Sequence, residues 1–159
     1  MRLAENMKIV PLLNSANYGA GVSMDSINMK NYHHATIIIT FGAITGNAGL
    51  KIYSGATAAA TTSALEFDYA LAGAAIASSS ADVLAANATA TAASGITLTA
   101  GIYASKMLVI DVNASKMDIA NGEEWLTAVI NGSASSGIAH AVAILESRYS
   151  GNRSATALA

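Results

Sequence analysis

The sequence predicts a single all-β domain, an antiparallel β-sandwich that is jelly-roll-like and has about eight strands. Three observations support this prediction: apolar and polar residues alternate with a period of two, turn-forming clusters separate the alternating runs at short intervals, and no long helices lie between them. The chain of 159 residues fits one domain and is long enough to fold without disulfides or metals. We assign residues 1–159 to this domain, with a possible N-terminal arm over residues 1–8 and a flexible C-terminal tail over residues 150–159.

The alternation is clearest in two runs. Residues 65–71 place apolar side chains on one side of a strand and acidic ones on the other, and residues 96–103 place aliphatic side chains opposite threonines and Tyr103. Residues 35–41 and 106–112 are apolar on both sides, which is typical of central strands or of strands covered on both faces. Shorter strands are predicted at residues 8–12, 22–29, 50–53, 125–130 and 138–145.

Proline, alanine and glycine positions refine this assignment. Pro11 has no backbone N–H to donate, which places the first strand at a sheet edge. The alanine-rich residues 70–87 have helical propensity, but their large apolar residues are too sparse for a helical stripe, so we predict loops and short strands there. One short helical turn is predicted over residues 114–120, with Asn113 as its cap and Gly122 as its end.

Charged residues are scarce in this chain. They make up 11% of the sequence, compared with about 25% in an average soluble domain, while hydrophobic residues make up 53%. A chain of 16.0 kDa has an accessible surface of about 7,400 Å², so eight basic and ten acidic side chains leave about one charge per 400 Å². Such a surface favours association with copies of the chain or with a larger assembly.

Composition also argues against several classes of protein. A net charge of −2 provides no basic field for a phosphate backbone, so no nucleic-acid partner is expected. No stretch reads as a membrane-spanning helix, so no membrane partner is expected. Charged and polar residues interrupt residues 1–8, which indicates synthesis in the cytoplasm without a signal peptide. The absence of cysteine removes thiolate metal sites and thiol nucleophiles.

The residues that could perform chemistry do not form a recognisable constellation. His33 and His34 are adjacent and point to opposite sides of an extended chain, and His140 lies in an alternating run where a structural role is the simpler reading. Asp118 suits a helix cap, and Glu123 with Glu124 suits a solvated loop. No nucleophile motif, phosphate-binding loop or dinucleotide fingerprint is present. We therefore predict no enzyme activity, no metal site and no cofactor.

Two features of the sequence suggest contact surfaces. Tyr103 and Tyr149 are candidate exposed aromatic residues. In the last strand, Ala139, Ala141 and Ala143 form one smooth side, while larger aliphatic residues occupy the other. This alanine side permits close approach either by the opposing sheet of the same sandwich or by a neighbouring subunit, and the sequence leaves both alternatives open.

Three parts of the chain resemble small virion proteins of tailed bacteriophages, above all their capsid decoration, or cement, proteins. These parts are the opening residues 1–6 (MRLAEN) and 8–11 (KIVP), the residues 106–125 with a strand, a short helical turn and an Asn-Gly pair, and the closing residues 143–149 (AILESRY). The likeness covers about half of the chain and consists of structural residues, and the alanine-rich middle does not share it.

The resemblance implies a β-sandwich or jelly-roll subunit, commonly a trimer, that binds the outer lattice of an icosahedral head and reinforces it after expansion. The implied partners are further copies of the chain and the major capsid protein, and the implied location is the exterior of the virion. Terminal arms of such proteins often reach onto the capsid. By this resemblance Arg2 and Lys8 at one end, and Tyr149 and Arg153 at the other, are candidate contacts.

Two alternative functions remain open from the sequence. The chain is either another structural virion subunit, from a tail, a fibre or a head-completion complex, or a carbohydrate-binding β-sandwich in which Trp125 and the tyrosines stack on sugars. A hydrolase is the weakest alternative because no pair of nucleophile and base can be nominated.

Overall fold

The computed structural model describes residues 7–132, 137–149 and 156–159, and in these residues two antiparallel sheets pack against each other. The predicted antiparallel β-sandwich is therefore confirmed. The strand number exceeds the predicted eight because several strands have only two or three residues. The strands are β1 (Lys8–Asn17), β2 (Val22–Ser23), β3 (Ile27–Asn28), β4 (Tyr32–Ile44), β5 (Ala48–Gly55), β6 (Ser63–Leu65), β7 (Phe67–Leu71), β8 (Ala88–Ala90), β9 (Ile96–Leu98), β10 (Met107–Asn113), β11 (Trp125–Asn131) and β12 (Gly137–Ser147).

The strand order confirms the central and edge positions that the sequence indicates. The first sheet has the order β1-β12-β4-β10-β7-β8, and the second has the order β2-β11-β5-β6, with β3 also paired to β11 and β9 to β5. The two runs that are apolar on both sides, β4 and β10, are neighbours in the middle of the first sheet. Pro11 lies in the edge strand β1, next to a register shift between Pro11 and Leu13.

The core lies between the two sheets and follows the period of two along each strand. In β4, Ile37 and Ile39 are at most 1% exposed, whereas Ile38 between them points away from the core and is half-buried. Three aromatic rings close one end of the core: Phe41 packs edge-on against Tyr18 and Tyr103, with centroid distances of 6.5 and 6.3 Å.

The predicted strand over residues 96–103 is wrong beyond Leu98. The chain turns into the four-residue helix α1 (Ala100–Tyr103), in which the N–H groups of Ile102 and Tyr103 both donate to the Thr99 carbonyl. This turn reverses the expected alternation, because it directs Tyr103 into the core, where it is 7% exposed, and leaves Ile102 exposed. Tyr103 is therefore not an exposed contact residue, and its prediction as one is wrong.

Residues 65–71 form two strands instead of one. Leu65 ends β6 in the second sheet, and Phe67 begins β7 in the first sheet, so the chain crosses between the sheets at the exposed Glu66. The alternation itself is correct, since Leu65 and Phe67 both face the core.

The predicted helical turn over residues 114–120 consists of two 3₁₀ turns, Ala114–Lys116 and Ile119–Asn121. Asn113 caps the first, accepting a hydrogen bond from the N–H of Ser115 at 2.9 Å, and Gly122 ends the second with a φ of 83°. The alanine-rich residues 70–87 contain turns and the end of β7 and no helix, as predicted.

The last four residues do not belong to a flexible tail. Ala157 is 2% exposed in the core, and its carbonyl accepts a hydrogen bond of 2.8 Å from the N–H of Asn28 in β3. The expectation of a flexible tail over residues 150–159 is therefore wrong for residues 156–159. Residues 1–6 of the expected N-terminal arm and residues 150–155 lie outside the described residues, and Lys8 begins β1.

Candidate functional site

The two sides of β12 differ in their environment. Ala139, Ala141 and Ala143 are 0% exposed and face the second sheet, where their small side chains allow close packing. Of the two alternatives for this alanine side, the opposing sheet is correct, and a contact with a neighbouring subunit or a capsid is wrong because these side chains are inaccessible. The larger residues of β12 point outward, and Ile138 is 51% exposed.

The outward residues of β12 belong to an apolar surface that crosses four strands. In its middle row, Pro11 of β1 lies opposite Val142, Val142 opposite Ile38, and Ile38 opposite Val109, whose neighbour Ala70 on β7 is buried and marks the end of the surface. We call this surface the outer face. It consists of Ile9, Pro11, Thr36, Ile38, Thr40, Met107, Val109, Ile138, His140, Val142 and Ile144.

The outer face contains no Asp, Glu, Lys or Arg. Its polar members are Thr36, Thr40 and the exposed His140. The side chains that β4 and β10 contribute to it are half-buried, whereas the inward residues of the same strands are almost completely buried. An apolar surface of this extent on a monomer is typical of an association site.

Charged residues collect at one corner of the first sheet. Asp111 of β10 lies directly opposite Asp68 of β7, a pairing of like charges that is unfavourable by itself. Hydroxyl groups compensate for it: Thr36 Oγ1 donates to Asp111 Oδ1 at 2.8 Å, and Thr89 Oγ1 donates to Asp68 Oδ1 at 2.6 Å. His34 Nε2 lies 3.5 Å from Asp111 Oδ1.

A surface pocket of about 190 Å³ occupies this corner. Across it, Lys116 Nζ donates to Glu66 Oε1 at 2.8 Å, and this hydrogen bond, together with the carboxylate charge, raises the pKa of Lys116 above its usual value. No group of three or more potential metal ligands occurs within the described residues. The corner therefore forms a polar margin to the outer face, with each of its carboxylates already hydrogen-bonded or ion-paired.

Glu123 is a buried carboxylate, not the solvated loop residue that the sequence suggests. It is 8% exposed and accepts hydrogen bonds from Ser54 Oγ at 2.5 Å and from Ser63 Oγ at 3.0 Å. These bonds tie the segment before β11 to β5 and β6. Ser54 is 0% exposed, so no substrate reaches this hydroxyl, and the arrangement is a structural anchor.

The remaining predicted contact residues lie apart from the outer face or outside the described residues. Lys8 is half-buried at the start of β1, and Tyr149 is 74% exposed just after β12. Arg2 and Arg153 lie outside the described residues. Because Lys8 pairs with Leu145 near the end of β12, Lys8 and Tyr149 are close to the same end of the first sheet.

The aromatic residues considered for sugar stacking lie on the second sheet. Trp125 pairs with Gly55, and Tyr53 pairs with Thr127, so the two rings are diagonal neighbours on its outward side. Both are half-buried. This surface is small compared with the outer face of the first sheet.

A second apolar cluster lies at one end of the sandwich. Its members are on the loop after β7 and on α1, they are 42–59% exposed, and the Ile76 N–H donates to the Ser105 carbonyl at 2.7 Å. The Ser105 N–H in turn donates to the Gly42 carbonyl at 2.9 Å, and Gly42 is adjacent to Ile138 of the outer face. The cluster comprises Ile76, Val83, Leu84 and Ile102.

Sequence reasoning did not identify the outer face, although one signal for it was present. Ile37, Ile38 and Ile39 are consecutive, so any strand through them has a large apolar residue on both sides. The alternative of a strand covered on both faces follows from this pattern. In the described residues the second sheet covers the inward side of β4, and Ile38 on the other side stays half-buried.

No protein-family model, curated protein or solved structure matches this chain. Among the residues that the structure describes, no helix combines the length and the apolar character needed to cross a membrane.

Proposed function

We propose that this chain is a structural subunit that acts by association, and that it decorates the outer surface of a bacteriophage head. The outer face is the observation that carries the associating role: eleven residues across four strands, without a charged carboxylate, ammonium or guanidinium group, point away from the core. The phage head, the major capsid protein as partner, and the trimer come from the resemblance of residues 1–11, 106–125 and 143–149 to decoration proteins.

Decoration suits a small, weakly charged sandwich for a physical reason. A head offers many equivalent sites, so copies that also contact one another bind with avidity, and a modest affinity per copy suffices for stable occupancy. Binding to the assembled head alone also stabilises the head by mass action. Scarce surface charge reduces the desolvation cost of covering much of the subunit.

The experiment uses purified chain and heads assembled from the major capsid protein of a tailed bacteriophage whose genome encodes the chain. The heads are prepared without the chain, in expanded and unexpanded forms, and binding is measured by co-sedimentation and by cryo-electron microscopy. We expect saturable binding to expanded heads at symmetry-related positions and weak binding to unexpanded heads.

Two outcomes would contradict the proposal. A chain that binds neither form of the head is not a head decoration subunit, and a tail or fibre fraction that retains it would favour another virion role. Binding to a glycan array without binding to heads would favour the carbohydrate alternative through Trp125 and Tyr53.

A further inference from the structure

We infer that the outer face of one copy packs against the outer face of a second copy, so that two sandwiches form a symmetric pair. This inference rests on the proposed associating function and names the occupant of the same surface. The occupant follows from the chemistry of the face, from its shape and from its area.

The chemistry of the face favours a partner that is equally uncharged. The middle row, from Pro11 to Val109, contains only apolar side chains, and the acidic residues lie at one end of the sheet, with Asp68 and Asp111 at its corner and Glu146 after Ile144. A charged partner surface would lose its hydration on this face without gaining an opposite charge. The outer face of a second copy has the same polarity as the first because it consists of the same residues.

The shape of the face favours another sheet. Four adjacent strands form a broad surface, and β12 and β4 in its middle have their backbone N–H and C=O groups already paired on both sides, so an added peptide strand finds no edge there. Twisted sheets pack face to face when their twists agree, at a separation of about 10 Å. Two copies of one sheet have the same twist.

The area of the face suits a small, reversible pair. Four strands at a spacing of about 4.8 Å cover about 19 Å, and the seven residues from Ile138 to Ile144 extend about 24 Å along β12. The product is about 460 Å² per copy and about 900 Å² for two copies, which is the size of a weak interface that a single buried carboxylate can disrupt.

The pair closes on itself through a two-fold axis, because the same residues are used on both copies. It therefore predicts an even number of copies. The pair alone is a dimer, and a trimer formed through other surfaces becomes a hexamer when its outer faces also pair.

The first test compares two Val→Asp variants on outward positions of central strands. Val142→Asp places a carboxylate on the outer face, and Val129→Asp places one on the outward side of the second sheet. The mass in solution is measured by analytical ultracentrifugation without heads. We expect an even number of copies for the unmodified chain, a halved mass for Val142→Asp with a dissociation constant raised at least about 100-fold, and no change for Val129→Asp.

A crosslinking test remains informative if Val142→Asp fails to fold. The chain contains no cysteine, so a single introduced thiol is an unambiguous probe. Ile38→Cys lies on a central strand of the outer face, and Val129→Cys is the matched control on the second sheet. With a bismaleimide whose reach matches the sheet separation of about 10 Å, we expect covalent dimers from Ile38→Cys and few from Val129→Cys.

A monomeric chain, or a trimer whose mass is the same in Val142→Asp, would overturn the inference, as would equal crosslinking by the two cysteine variants. These results are separable from a failure of the proposed function. If the chain pairs but does not bind heads, the pairing inference stands and the decoration proposal is rejected. If the chain binds heads as an odd-numbered oligomer, the decoration proposal stands and the pairing inference is rejected.

Discussion

The outward sides of the two sheets differ in how far other segments of the chain bury them. On the second sheet, Thr127 is 0% exposed because the chain folds over it: Ser26 Oγ shares a hydrogen bond of 2.8 Å with Thr127 Oγ1 and accepts another from the Ala59 N–H. On the first sheet, Thr40 and Ile38 occupy comparable outward positions and remain half-buried. The comparison shows that the chain folds over the second sheet at Thr127 and does not bury Thr40 and Ile38 on the first sheet in the same way.

The largest expected change in the free energy of unfolding comes from truncating an inward side chain of β4, compared with truncating an outward one. Ile39→Ala removes a side chain that is 0% exposed and is expected to lower the free energy of unfolding by about 2–5 kcal/mol. Ile38→Ala removes the same atoms from the outer face, and its cost is expected to grow with protein concentration, because in the proposed pair the lost contacts are between copies. Chemical denaturation at several protein concentrations measures both values. If the cost of Ile38→Ala were independent of protein concentration and equal to that of Ile39→Ala, the two sides of β4 would not differ as described.

An intermediate effect is expected from a matched pair of Thr→Val variants. Thr127→Val leaves the buried Ser26 hydroxyl without its partner on β11, and we expect a loss of about 1–3 kcal/mol. Thr40→Val makes the outer face more apolar without burying an unpaired group, and the change in unfolding free energy is expected to stay within about 0.5 kcal/mol. Thermal unfolding of the two variants provides the measurement, and the opposite ranking would contradict the view that the chain folds over Thr127 but not over Thr40.

The smallest effect at neutral pH concerns Tyr103, which closes the end of the core between the two sheets. Burial, with a smaller contribution from the nearby Tyr69 hydroxyl, raises the pKa of Tyr103 from 10.0 to about 12. The unfolded chain therefore releases this proton first, and stability is lost as the pH rises from 10.0 towards 12, by on the order of 2 kcal/mol. Tyr103→Phe lacks this loss.

Denaturation of Tyr103→Phe across this alkaline range is compared with Tyr149→Phe, which changes an exposed tyrosine. We expect the phenylalanine at position 103 to make the alkaline decline shallower and the change at position 149 to leave it as in the unmodified chain. An equal decline in the two variants would mean that Tyr103 is not held in the core at the end of the sandwich.

Some parts of the fold were predictable because the physical signal is local. The edge position of Pro11 follows from its missing N–H, and the cap at Asn113 follows from a side chain that reaches the N–H of Ser115. The turn at α1 was not predictable from alternation. Residues 96–103 alternate like a strand, but the N–H groups near Tyr103 bond to Thr99, and the ring is held by Phe41, which is far away in the sequence.

The candidate site was predictable only in part, for the same reason. The sequence indicated that the last strand has an alanine side and an aliphatic side, and both exist. Which side meets the other sheet depends on long-range packing, and Ala141 proves to be inside while Val142 is outside. The buried state of Glu123 was equally non-local, because its partners Ser54 and Ser63 lie on β5 and β6.

The sequence by itself determined that this protein is an all-β sandwich with few charges, because the period of two and the composition are properties of neighbouring residues and of counts. It also determined that β4 is apolar on both sides. Only the tertiary structure decided which apolar side is buried, because that depends on how strands far apart in sequence pair and on which sheet they join. The sequence shows that charges are scarce, and the tertiary structure shows where an uncharged surface lies: on the outer face centred on Ile38 and Val142.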